Sequence, residues 1–136
     1  MEKGLEIRAA SEKDVGLILS LIPKLARHEG LSDKFSVTED DLRESLFGPG
    51  SVSEVMLGYY GGKVAAYFIF CPRTEAYTGR NEIYLDHLYV LPQYRRKGFG
   101  RAIMAYMGHL ARKRGATWVE WVAVPANHRA LEFYES

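Results

Sequence analysis

Hydrophobic positions along this chain change period several times, and each change marks a boundary. Leu5 to Ala9 reads as a short strand, after which Val15, Ile18, Leu19, Ile22, Leu25 and Ala26 recur at helical spacing behind Ser11 and Asp14, a pair suited to capping. Pro23 is expected to kink that helix. Thr38, followed by Glu39, Asp40 and Asp41, opens a second short helix that Gly48-Pro49-Gly50 ends. An acidic segment from Glu29 to Asp41 joins the two. Val52 to Tyr60 and Lys63 to Phe70 are β-rich runs separated by Gly61-Gly62, the sequence of a two-residue hairpin. A polar stretch, Arg73 to Asn81, precedes a third strand, Glu82 to Val90. The helix from Phe99 to Arg114 is predicted to bury Ile103, Met104, Met107, Leu110 and Ala111, with Gly115 as its stop. Trp118 to Val124 reads as a strand buried on both faces, and Asn127 to Glu135 as a last helix. The predicted order is β-α-α-β-β-β-α-β-α. That is an α/β fold whose sheet is mixed: antiparallel at the hairpin, parallel where a helix crosses over.

Composition narrows the classes. With 136 residues, 47% hydrophobic and 26% charged, the chain is long enough for one core and too short for two. We therefore expect a single domain over residues 1–136. A net charge of +1 argues against nucleic acid as the main partner, since the basic residues are local, in Arg95 to Lys97 and Arg112 to Arg114. The second triplet suits the negative end of a helix. No stretch approaches the roughly 20 apolar residues of a membrane span, and Met1 to Ala10 lacks a signal-peptide core, so a cytoplasmic protein is expected. Cys71 is the sole cysteine and reads as structural. His28, His87, His109 and His128 show no paired ligand spacing, so no metal site is expected. His109 and His128 are expected to face solvent.

The chemistry concentrates in Val90-Leu91-Pro92-Gln93-Tyr94-Arg95-Arg96-Lys97-Gly98-Phe99-Gly100-Arg101. A strand ends at Pro92, glycines at 98 and 100 let the backbone come close to a ligand, and a new helix aims its N–H groups at an anion. Arg95, Arg96, Lys97 and Arg101 add positive charge. This is the layout of a phosphate cradle. A P-loop would need Gly-Lys-Ser/Thr, which the chain lacks, and the dinucleotide fingerprint would need a third glycine where Ile103 stands. Upstream, Asp86 alternates onto the same face as Tyr84, Leu88 and Val90, an ionisable group among apolar neighbours whose burial would raise its pKa. It suits either a general base or a structural acid in an ion pair. Downstream, Asn127, Ala130, Leu131 and Tyr134 share a helix face. Tyr134 suits either a general acid or a core aromatic with its hydroxyl at the surface.

Arg95, Gly98 and Gly100 match the Arg/Gln-x-x-Gly-x-Gly/Ala signature, and with the element order the chain resembles the GNAT acetyltransferase superfamily over its whole length. Ile7-Arg8-Ala9-Ala10, the Glu29 region, Tyr84-Leu85-Asp86, Tyr94-Arg95 and Phe133-Tyr134 resemble more closely its spermidine/spermine and thialysine acetyltransferases. The resemblance implies acetyl-CoA as co-substrate, with its pyrophosphate on Arg95, Arg96, Lys97, Gly98, Phe99, Gly100 and Arg101. The backbone of Leu88, Tyr89 and Val90 would receive the acetyl carbonyl and pantetheine, and Asn127 would contact the coenzyme. Tyr134 would protonate the departing sulfur. It implies Asp86 on the amine, where those enzymes carry glutamate, and Glu29 as a substrate-side acid, although a solvated helix-end charge explains Glu29 equally well. The segment from Arg73 to Asn81 matches poorly.

Freeing the lone pair of an alkylammonium at neutral pH costs about 4 kcal/mol, which is why acids and a base should surround the amine. We therefore expect N-acetylation of a small amine, a polyamine, diamine or thialysine-like molecule, by direct transfer in a ternary complex. A peptide or protein amine is the alternative within the class, and a coenzyme-binding or assembly domain of little activity the alternative outside it. The resemblance also implies two further C-terminal strands, which this sequence does not include. The edge of the Trp118 to Val124 strand would then call for a homodimeric partner.

Overall fold

The computed structural model describes residues 4–31, 36–117 and 119–121. Strand β1 (Glu6–Ala9) leads through a 3-10 turn at Glu12–Asp14 into α1 (Val15–His28), and α2 (Glu39–Phe47) follows. Then come β2 (Glu54–Tyr60), β3 (Lys63–Glu75), β4 (Arg80–Val90), a 3-10 turn at Pro92–Tyr94, α3 (Phe99–Lys113) and β5 (Val119–Trp121). Local chemistry accounts for the boundaries. The N–H of Ser11 donates to Asp14 at 2.9 Å. Thr38 Oγ1 accepts from the Asp41 N–H at 3.1 Å while the Thr38 N–H donates to the Asp41 carboxylate at 3.3 Å, a reciprocal cap that satisfies donors a helix start leaves open. α1 continues through Pro23 to His28.

The strands lie in the order β1-β2-β3-β4-β5, antiparallel from β1 to β4 and parallel between β4 and β5. The hairpin at Gly61-Gly62 has φ of 60° and 83°, the left-handed pair that a two-residue turn between twisted strands requires. One sheet face carries Val55, Leu57, Tyr67, Ile69 and Tyr89 against α1 and α2. The other carries Met56, Ala66, Phe68, Phe70, Ile83, Leu85 and Leu88 against Ile103, Met107 and Ala111 of α3. Coverage on both faces explains why Ala65 to Phe70 is continuously apolar and buried. Phe68, fully buried, lies 5.8 Å from Tyr106 and 6.1 Å from Phe70 between ring centroids. Phe68→Ala is expected to destabilise the fold by about 3–5 kcal/mol in urea denaturation, because it leaves a cavity between sheet and helix.

Two expectations need correcting. The strands do not end at Phe70 and begin again at Glu82: β3 and β4 run on through the polar stretch as a paired hairpin, with Arg73 opposite Glu82, Thr74 opposite Asn81 and Glu75 opposite Arg80. Backbone ladders need no apolar side chains, so polarity misplaces the strand ends. β5 is half-buried rather than buried throughout, because Glu120 turns toward Arg73 instead of into a core. Arg73 also donates to the buried Glu82 at 3.1 Å and stacks 4.7 Å over the Tyr84 ring, tying β3, β4 and β5 together at their shared end. The strand residues Trp118 and 122–124 lie outside the described residues, as does the expected helix over 127–135.

Candidate active site

After β4 the chain makes the turn that the glycine and proline signals predict. α3 has Gly98 as its N-cap at φ 79°, and the first helical bond runs from the Ala102 N–H to the Gly98 carbonyl at 3.0 Å. The N–H groups of Phe99, Gly100 and Arg101 precede that bond, and no acidic residue occupies the first turn, so this end of α3 is a positive surface. A Cβ at Gly98 would meet nothing within 4 Å; the requirement for glycine there is its left-handed backbone, not crowding. Arg96 is the one non-glycine described with positive φ, 68°, a strain concentrated at the cradle. Arg96, Lys97 and Arg101 are exposed. Arg95 differs: its Nε donates to the Val90 carbonyl at 2.8 Å and its guanidinium lies 5.3 Å from the Tyr89 ring centre. It braces the turn against β4.

The edge of β4 leading to this turn has its own polarity. The Leu91 N–H donates to Ala65 across the antiparallel ladder. Hydrogen-bonded and non-bonded pairs alternate along such a ladder, so Val90 and Leu88, opposite Ala66 and Phe68, direct their N–H groups away from β3. The described pairing with β5 spans only Ile83–Leu85 against Val119–Trp121. Two backbone donors thus point along a stretch of β4 that β5 does not cover among the described residues.

Asp86 sits where β4 changes register. Phe70 faces Leu85 while Ile69 faces His87, so Asp86 is the extra residue of a β-bulge. The bulge corrects the predicted face: Leu88 moves to the α3 side with Ile83 and Leu85, and Asp86 is exposed instead of buried among apolar neighbours. Burial falls on the groups around it. Glu29, at the C-cap of α1, has its carboxyl pushed above the ordinary range by burial first and by the charge of Asp86 second. A carboxylate at the negative end of a helix is locally unfavourable, which suits a residue kept to bind a cation.

Between these acids lies a pair that the sequence did not reveal. The hydroxyl of Tyr67, on β3, is 3.0 Å from Nδ1 of His87. Burial, then the charges of Glu29 and Asp86, raise the Tyr67 phenol well above its ordinary value, so it stays protonated. Burial lowers the His87 imidazole, with Asp86 opposing, so the ring is neutral at neutral pH. Tyr89 packs beside Tyr67, and His28 meets the Tyr89 ring edge-on at 6.1 Å. The spacing of Ile83, Leu85 and Leu88, two and then three, was the available signal for the bulge that brings His87 to this face. Asn127 and Tyr134 lie outside the described residues.

The comparisons with known proteins agree with this layout. Residues 22–136 match the model of the acetyltransferase (GNAT) family. A thialysine N-epsilon-acetyltransferase of Bos taurus is 33% identical over 96% of this chain and 81% of its own length. An L-ornithine N5-acetyltransferase of Arabidopsis thaliana is 31% identical over 71% of this chain and 39% of its own. Among solved structures, a ribosomal-protein-alanine N-acetyltransferase from Brucella melitensis superposes with a TM-score of 0.77 at 20% identity, covering 97% of this chain and 89% of that one. The mixed five-stranded sheet, the turn at Arg95 to Gly100 and these matches together place the chain in the GNAT acetyltransferase family, as an acyltransferase enzyme.

Proposed function

We propose that this enzyme transfers the acetyl group of acetyl-CoA to a primary amine of a small molecule, a polyamine, diamine or thialysine-like compound, directly within a ternary complex. One observation carries the reading: the charge of Asp86 reaches Glu29, a second carboxylate, beside the same strand whose Leu88 and Val90 N–H groups lead to the basic start of α3. An ammonium is drawn to the acids. The pyrophosphate of the coenzyme sits on the turn from Arg95 to Arg101, where helix N–H groups and exposed cations converge. Bound there, acetyl-CoA supplies the acetyl group as a thioester, and the Leu88 and Val90 amides receive its carbonyl and pantetheine.

In this reading Asp86 helps to deprotonate the amine, Asn127 contacts the coenzyme, and Tyr134 protonates the sulfur. The domain spans residues 1–136, works in the cytoplasm and pairs as a homodimer. No described helix is long and apolar enough to cross a membrane.

Thiol release from acetyl-CoA across a panel of polyamines, diamines, thialysine, lysine and a lysine peptide tests the reading. Release with a small amine, and initial-rate lines that intersect, are expected. Coenzyme-dependent thermal stabilisation with no thiol release would mark a binding domain, release with the peptide alone a protein acetyltransferase, and parallel lines a covalent acetyl-enzyme.

A further inference from the structure

The mechanism above leaves the His87–Tyr67 pair without a task, although it lies on the sheet face shared with the two acids. We propose that His87, oriented by Tyr67, is the group that accepts the proton of the substrate ammonium, while Asp86 attracts the cation and steadies the imidazolium. The inference rests on the amine-acetylation reading and assigns its proton acceptor.

Three observations carry it. Asp86 and His87 are adjacent at a bulge, where a strand re-aims consecutive side chains toward one face instead of alternating them. His87 is half-buried and hydrogen-bonded through Nδ1 to a fully buried hydroxyl, which fixes the ring as a base is fixed by its orienting partner. Asp86 is exposed to water, whereas His87 is half-buried and held by a neighbouring hydroxyl. The described groups that face or act on this ring and its partner are Asp86 and Tyr89 on β4, Tyr67 on β3 and Glu29 at the end of α1, with His28 against the Tyr89 ring and Cys71 near enough to Asp86 to feel its charge. Arg95 reaches the cluster through the Tyr89 ring.

Burial and the negative charges of Glu29 and Asp86 keep the Tyr67 phenol protonated. For His87 to take the proton, Nδ1–H must donate to Tyr67 Oη, which the 3.0 Å contact allows, with the Nε2 lone pair facing the amine. The proton passes from the ammonium to Nε2, and the freed nitrogen pair attacks the thioester carbonyl. As the C–S bond breaks its electrons go to sulfur, which takes a proton from Tyr134. Tyr134 recovers that proton from the acylated nitrogen, and the imidazolium releases its own to solvent.

A base protonated below its pKa is lost as pH falls, so His87 gives kcat/KM an acid limb below the ordinary imidazole value of about 6.5, separate from the limb that the raised Glu29 carboxyl adds when it ceases to attract the cation. His87→Gln is expected to lower kcat/KM by about 100-fold or more and to abolish that limb, with the thermal melt confirming a folded protein. Tyr67→Phe should displace the limb, and Asp86→Asn should raise the amine KM while retaining it. His87→Gln within threefold of wild type with the limb intact, or loss of the limb in Asp86→Asn alone, would overturn the assignment. Nitrogen-15 NMR of the histidine rings in the substrate-free protein at pH 9 gives a readout independent of activity. Nδ1–H is the expected form for His87, and Nε2–H would overturn the proposal even in an active enzyme. Absence of acetyl transfer to any amine by the wild type would instead remove the functional reading, with the ring tautomer still legible.

Discussion

Tyr134→Phe is expected to lower kcat by about 100-fold or more while leaving acetyl-CoA affinity within about twofold of wild type. The asymmetry follows from the role proposed for the phenol. In the proposed site a thiolate leaving without a proton would carry its charge toward Glu29 and Asp86, whereas coenzyme binding is assigned to the turn at Arg95 to Arg101. Removing one hydroxyl therefore raises the barrier without loosening the complex. Turnover should recover at higher pH less well than in wild type, since phenylalanine cannot relay a proton at any pH. Single-turnover kinetics with coenzyme affinity from calorimetry check this, and small, equal changes in rate and affinity would remove Tyr134 from the chemistry.

Gly98→Val should have the opposite signature, weakening acetyl-CoA by about tenfold or more with a smaller effect on the chemical step. At φ 79° the residue is left-handed, which costs an ordinary L-residue about 1–2 kcal/mol and a β-branched one more. Space is not the obstacle, because a Cβ there meets nothing within 4 Å. The chain would relieve the strain by moving the turn. That would displace the first N–H groups of α3, and with them the proposed pyrophosphate site. Gly98→Asn, which tolerates left-handed backbone, should lose much less. Equal, unchanged coenzyme affinity in both variants would mean that the turn does not bind phosphate.

What the sequence revealed about this molecule was local. Pro92 and Gly98 lie six residues apart and Ile103, Met107 and Ala111 repeat every four, so the turn and the helix behind it are legible in one continuous stretch. Glu29 was legible as a charge at a helix end, but its partial burial beside Asp86 depends on α1 meeting β4. The errors were non-local. Unbroken alternation puts Asp86 on an apolar face with Leu88, whereas one bulge transfers Leu88 to the other face. Tyr67 stands inside the run Ala65 to Phe70 and looks like any core aromatic; its hydroxyl acquires meaning only from His87, twenty residues away on the neighbouring strand. The hairpin extension through Arg73 and Glu82 was hidden for a similar reason, since backbone pairing and an ion pair hold it without an apolar pattern.

The measurement closest to the central claim is the product mass spectrum from wild-type enzyme given acetyl-CoA and an equimolar mixture of spermidine, thialysine and a lysine peptide. One acetyl group added to a small amine, and a sharp fall of that product in Glu29→Gln with Asp86→Asn, is the expected result. Acetylation of the peptide alone, or product formation indifferent to both carboxylates, would contradict the account.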